Sequence, residues 1–224
     1  IRVWVPGCST GEEAYSIAML LHERLSPERK RPVIQIFASD IDERGLEVGR
    51  LGRYPASIAD QVSERRLKRF FVREDGTYRV VGELRESILF STHDLLRDPP
   101  FSKLDLISCR NTLIYFTAPL QQRVVSMFGF ALKAGGLLVL GTAETLDRRA
   151  EGFSTVNAEW RIFPHEGNAS FPYEHAPAPA VGAPGARGKP SACAPPVSAA
   201  RGVTAFLVLW RGSPLPRPPR THPH

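Results

Sequence analysis

The sequence predicts an α/β fold: a mainly parallel sheet covered by helices, with a small antiparallel β insertion and a disordered C-terminal tail. Three observations predict it. Strand-type and helix-type patterns alternate over residues 2–50, which favours parallel strands joined by helical crossovers. Asp75-Gly76 stands between two short apolar runs, a strong hairpin signal. Beyond His165 no periodicity survives, and 12 of the 20 prolines lie there.

Taken in order, residues 2–5 form a β-type run, and residues 12–25 place Ala14, Ile17, Ala18, Leu21 and Leu25 at helical spacing. Residues 33–38 are a second short apolar run, followed by a short helix over 42–50 with Leu46 and Gly49 facing inward. The alternation then breaks. Residues 63–71 read as a basic amphipathic helix, and the Asp75-Gly76 hairpin joins residues 71–72 to 78–81, so an antiparallel insertion is expected over about 54–86. Strands are expected again at 87–91 and 104–108. A helix over 120–133 has Pro119 in its first turn, carries Leu120, Val124, Phe128 and Leu132 on one face, and stops at Gly135-Gly136. Residues 137–141 form a further buried strand, and 153–157 with 160–163 close the sheet as an antiparallel pair.

The domain thus spans residues 1–164, and 165–224 is a Pro/Ala-rich tail, expected to be disordered. The composition, 42% apolar and 23% charged, suits a globular protein. Six of the Lys and Arg residues lie after His165 against two Glu, so the tail supplies most of the net charge of +6. The basic balance therefore gives little support for nucleic-acid binding. Cys8, Cys109 and Cys193 lack CxxC spacing and the six His form no ligand pattern, which points to a reduced, metal-free protein. The longest apolar run, residues 203–210, is far short of the ~20 residues that cross a bilayer, so no membrane insertion is expected. A chain that begins inside a strand, without Met, is expected to lack an N-terminal part.

In an open α/β sheet, ligands bind beyond the carboxyl ends of the strands. After the first strand comes Gly7-Cys8-Ser9-Thr10-Gly11-Glu12-Glu13. Gly7 and Gly11 let the backbone approach a ligand closely, and the two glutamates at the helix start would repel phosphates, pointing to a cationic nucleoside without them. The competing reading of Thr10 to Glu13 is a T-x-x-E capping box. Asp40, after the second strand, suits two ribose hydroxyls or serves as an N-cap. Asp94 could accept from an adenine amino group while Leu95 packs on the ring, or His93-Asp94 is an ordinary polar loop. Arg110 and Asn111 follow the fourth strand and suit a simple turn poorly, with Tyr115 one turn later.

The segments Gly-x-Ser-Thr-Gly-Glu-Glu-x-Tyr-Ser, Phe-Ala-Ser-Asp-Ile-Asp and Cys-Arg-Asn-x-Leu-Ile-Tyr-Phe, in this order, resemble the chemotaxis receptor methyltransferases of the CheR family, over about residues 1–163. The resemblance implies a Rossmann-like S-adenosylmethionine-dependent methyltransferase, a cytoplasmic protein-glutamate O-methyltransferase acting as a monomer. It would methylate glutamates of the cytoplasmic signalling helices of methyl-accepting chemotaxis receptors, giving γ-methyl esters. By position, Gly7, Thr10 and Gly11 belong to the cofactor loop, Glu12-Glu13 face the cofactor's methionine end and Asp40 its ribose. Asp94-Leu95 would hold the adenine, Cys109-Arg110 line the cofactor site, and Arg110 and Tyr115 position the reacting groups. A glutamate carboxylate is already a nucleophile, so no general base is required.

Family members carry an N-terminal helical domain that contributes cofactor contacts and an arginine near the substrate, and this sequence shows none. Its hairpin over residues 73–78 lacks the glycine-rich loop of members that dock on a receptor tail peptide, so no such docking is expected. The alternative to an enzyme is a truncated, catalytically silent cofactor- or protein-binding signalling module. An NAD-dependent enzyme fails for lack of G-x-G-x-x-G after the first strand, and a small-molecule or nucleic-acid methyltransferase is excluded mainly by the segment over residues 109–116.

Overall fold

A computed structural model describes residues 1–25, 32–146, 152–154 and 160–167. The elements in chain order are β1 (Arg2–Pro6), α1 (Glu12–Leu25), β2 (Gln35–Asp40), α2 (Glu43–Leu51), β3 (Arg53–Pro55), α3 (Glu64–Phe70), β4 (Phe71–Glu74), β5 (Thr77–Val80), α4 (Gly82–Glu86), β6 (Ile88–Thr92), β7 (Leu104–Cys109), α5 (Ala118–Ala131), β8 (Leu132–Leu140) and β9 (Ile162–Pro164). The main sheet runs β6-β2-β1-β7-β8-β9. All its pairs are parallel except β8 with β9, as the alternating pattern predicts for a mostly parallel α/β sheet.

The sheet is buried on both faces, which is why its strands read as apolar runs instead of alternating ones. Val3 and Val5 of β1 pack with α1, α2 and α4, whereas Trp4 points the other way, into the layer formed by Phe37, Ile107, Leu138 and α5. Trp4 anchors that second layer. Its indole meets His93, Phe101 and Phe128 edge-on and donates to Ser39 Oγ at 2.9 Å, so the buried N–H is satisfied.

The insertion forms a separate three-stranded sheet in the order β3-β5-β4. The expected hairpin is present with Asp75 and Gly76 both at positive φ, and β3 adds a strand that the hydrophobic pattern of three residues did not reveal. The insertion is keyed to the main domain by Tyr54, whose hydroxyl donates to the Thr10 carbonyl at 2.8 Å.

Two boundaries differ from expectation. Helix α5 ends at Ala131, and the chain passes straight into β8 at Leu132. Gly135-Gly136 therefore lie inside a strand: the register jumps from Leu104↔Leu132 to Leu106↔Leu137, and Gly135 at φ +76° takes up the slack of a bulge. At the closing edge, Ile162–Pro164 pairs antiparallel with β8, and Phe153 bridges His165 antiparallel on its other side, a few residues beyond the expected register. Residues 155–159 and the tail from 168 onward lie outside the described residues.

Candidate functional site

The strand order reverses between β1 and β7, because the chain moves from β1 outward through β2 and β6 and then returns to β7 on the other flank. That switch point leaves a crevice at the carboxyl ends of these strands. The loops after β1, β2 and β7 meet there.

The loop after β1 takes three left-handed residues within five positions: Gly7 (φ +68°), Ser9 (+48°) and Gly11 (+90°). The space beside each glycine is filled by protein. A Cβ on Gly7 would collide with Thr112 Oγ1, and one on Gly11 would lie 2.8 Å from the Phe90 ring. Cys8 N donates to Ser39 O at 3.0 Å and Ser9 N donates to Asp40 Oδ2 at 2.8 Å, which ties the loop to the end of β2.

Asp40 also accepts from Asp42 N at 3.0 Å, and the N-cap of α2 is Asp42, whose side chain accepts from Arg44 N. Each Asp40 oxygen thus accepts one backbone bond and retains acceptor capacity. Thr10 does not form the T-x-x-E box. Its hydroxyl donates to Glu12, at 2.6 and 2.8 Å to the two oxygens, and Glu13 instead accepts from Ser108 Oγ at 2.6 Å across the sheet.

Burial pushes Glu13 up to about 7, against the lowering effects of the Ser108 hydrogen bond and the Arg110 charge, with Glu144 adding to the rise. Burial also pushes the Cys8 thiol up to about 12, helped by the charges of Asp40, Glu13 and Glu12. Tyr54 is raised by burial and then by Glu12. The negative field at the start of α1 thus adds to the rise at Cys8 and Tyr54, second to burial in both.

A cleft of about 300 Å³ opens on this field. Glu12, Glu13 and Arg110 lie along it, with Tyr15, Met19, Tyr54 and Phe71 among the apolar walls. Of the residues singled out from sequence, Gly7, Thr10, Gly11, Asp40, Asp94, Leu95, Cys109 and Tyr115 do not line this cleft. Asp94 accepts from Leu96 N at 2.9 Å and faces Arg97 at 3.5 Å, so its carboxylate organises its own turn. Leu95 packs against the Trp4 layer. Cys109 is wholly buried there, its thiol raised by burial and then by the Glu144 and Glu13 charges, so its side chain offers nothing to solvent. Tyr115 is 81% exposed.

Sequence reasoning missed Glu144. It lies just past β8, is 4% exposed, and accepts backbone hydrogen bonds from both the β7 and β8 loops. The signal was available, because the rule of inspecting residues beyond strand ends reaches Gly141-Thr142-Ala143-Glu144 when applied to the fifth parallel strand. Among the described residues, no group of three or more His, Cys, Asp or Glu could hold a metal ion, and no helix is long and apolar enough to cross a membrane.

Residues 1–162 match the family described as CheR methyltransferase, SAM binding domain. The chain belongs to this CheR family. Its CheR domain is 35% identical over 158 residues to the chemotaxis protein methyltransferase of Listeria monocytogenes, covering 70% of this chain and 59% of that protein. It is 38% identical over 162 residues to the chemotaxis protein methyltransferase of Salmonella typhimurium, covering 68% and 54%. An uncharacterized 104.1 kDa protein of Rhodobacter capsulatus is 40% identical over 163 residues, 73% of this chain and 17% of that protein. The chain thus spans less than two thirds of each of these relatives. The cofactor of a CheR domain of this kind is S-adenosylmethionine, and the residues present fit it: a nucleoside bearing a sulfonium and an ammonium suits a loop with a negative field and no phosphate cradle.

Proposed function

We propose that this chain carries the methyltransferase domain over residues 1–164 and transfers a methyl group from S-adenosylmethionine to glutamate side chains of chemoreceptor signalling helices. The product is a γ-glutamyl methyl ester, and the loss of a negative charge on the receptor is the adaptation signal. The observation that carries this reading is the convergence of Glu12, Glu13 and Arg110 on one cleft at the sheet's switch point.

When bound, S-adenosylmethionine supplies an electrophilic methyl, the S–CH3 electron pair returning to sulfur as the ester O–CH3 bond forms. The chain's own residues supply binding and orientation. Glu12 and Glu13 offset the cofactor's positive charges, and Asp40 uses its remaining lone pairs on the ribose hydroxyls. Asp94 and Leu95 hold the adenine, with Cys109 in the wall behind it. Arg110 steers the acceptor carboxylate, and Tyr115, exposed in the turn that follows β7, orders the approach of the receptor helix. With a carboxylate as nucleophile, rate comes from positioning and from removal of water around the attacking oxygen. Gly7, Thr10 and Gly11 act by shaping the loop.

The test is methyl transfer from tritiated cofactor to a receptor cytoplasmic fragment, followed by mild alkali. Base-labile label released as methanol is the expected result. A chain that binds S-adenosylhomocysteine but never labels receptor would instead be the silent cofactor-binding module, a reading favoured by the position of Tyr115 outside the lining of the Glu13–Arg110 cleft.

A further inference from the structure

We infer that Glu144 is a positioning residue of this site, a buried latch that fixes the loop carrying Arg110 by holding the main chains of two strand-end loops on one carboxylate. The inference rests on the reading of the Glu13–Arg110 cleft given above and adds a residue that this reading does not contain.

The pairing of β7 with β8 ends at Cys109↔Leu140. Beyond it, Glu144 continues the connection by other means. Oε1 accepts from Thr112 N at 2.8 Å and Leu113 N at 2.7 Å, and Oε2 accepts from Asn111 N at 3.1 Å and Gly141 N at 2.7 Å. A carboxylate offers about four lone-pair positions, and here all are filled by backbone donors. Glu144 therefore has nothing left for a ligand, and with 4% exposure it acts only through the loops it holds.

The held loop turns through one left-handed residue, Asn111 at φ +57°, a value asparagine accepts more readily than most side chains. Three consecutive amides, of Asn111, Thr112 and Leu113, turn to the same buried point, where each would be without a partner if the carboxylate left. Position 141 is fitted to the latch as well, because a Cβ there would lie 2.7 Å from Asn111 Oδ1 and 2.8 Å from Glu144 Oε2.

From the latched loop the constraint passes to two groups that line the cleft. Arg110, directly before Asn111, lines the cleft, and Thr112 fills the place where a side chain on Gly7 would stand. The glycine loop leads into Glu13, which lines the same cleft. One buried carboxylate thus sets the spacing between the acidic helix start and Arg110.

The experiment uses the full chain with Glu144→Gln, which keeps shape but turns an NH2 group toward two backbone donors. Two readouts are needed. Amide hydrogen exchange at Asn111, Thr112, Leu113 and Gly141 should accelerate at least ~10-fold more than exchange in β1 and β7, and the Kd for S-adenosylhomocysteine, measured well below the melting temperature, should rise at least ~5-fold. If exchange rises equally everywhere, or if Kd stays within twofold while the loop loosens, the positioning role is overturned and Glu144 is only structural. Should Glu144→Gln fail to fold, Gly141→Ala, which pushes on the same oxygen, replaces it with the same expected pair of results. A wild-type chain that binds no S-adenosylhomocysteine sinks the cofactor reading, and the exchange data then decide the latch alone.

Discussion

Glu13 and Ser108 meet across the sheet, the serine hydroxyl donating to the carboxylate at 2.6 Å although the two lie 95 positions apart in sequence. Ser108 sits on the face of β7 turned toward α1, so the bond joins the acidic helix start to the strand that delivers Arg110. It also places a carboxyl group with a raised pKa of about 7 on the cleft wall, the rise caused chiefly by burial.

Glu13 should make both stability and binding depend on pH. Its folded-state value lies above the ordinary 4.5, so the folded chain holds a proton that the unfolded chain has released between about pH 4.5 and about 7. The resulting stabilisation is complete below the lower value and is lost as pH rises through the upper one. Wild type should therefore lose more melting temperature than Glu13→Gln between about pH 5 and about pH 8, as scanning calorimetry would show. Binding has the opposite sign. A cationic ligand prefers the ionised carboxylate, so affinity for S-adenosylmethionine should climb through pH 7 in wild type and stay flat in Glu13→Gln. Parallel pH profiles for the two proteins would remove Glu13 from the cofactor site.

Gly7→Ala should cost about 1–3 kcal/mol of stability, from the left-handed φ of +68° and from the collision with Thr112. Pairing it with Thr112→Ala removes the obstructing side chain but leaves the backbone penalty. Urea denaturation of the single and double variants should therefore show partial recovery. Full recovery would mean that the backbone conformation carries no cost.

Asp40→Ala should weaken S-adenosylhomocysteine at least ~10-fold, but two causes can produce this, because Asp40 also accepts from Ser9 N and Asp42 N. An analogue lacking both ribose hydroxyls separates them. If Asp40 binds the ribose, the substitution hardly affects the analogue's affinity, measured by calorimetry. Equal weakening of both ligands would assign Asp40 to the loop alone.

How much of this was legible in the chain depends on the range of the interaction. The parallel sheet could be read because both faces of β1, β2 and β7 are buried, which makes each strand an unbroken apolar run. The hairpin could be read because Asp75-Gly76 meets a local demand for positive φ. Thr10 to Glu13 looked like a capping box because that motif is local, whereas the partner Glu13 takes is Ser108, which only the fold brings near. Glu144 could be reached only by its place beyond a strand end, and its latch role could not be read at all, because its four donors come from loops some 30 positions away and from its own turn. Gly135-Gly136 misled because two glycines signal a helix stop and a bulge alike, and only the register of β8 against β7 tells them apart.

Tyr115 gives the clearest separation of roles. It lies in the turn after β7, 81% exposed, and its backbone N–H bonds to Thr112 O at 3.2 Å without help from the side chain. Removing the side chain therefore takes almost nothing from the fold, and surface substitutions of this kind usually change stability by no more than about 0.5 kcal/mol. Tyr115→Ala should melt with wild type and bind S-adenosylhomocysteine with an affinity within about twofold of it. Methyl transfer to a receptor fragment should nevertheless fall at least ~10-fold, because an exposed ring on the turn that follows Arg110 can order an incoming helix only while that helix is present. Equal losses in cofactor affinity and transfer rate would move Tyr115 to the cofactor side, and unchanged transfer would take it out of the site.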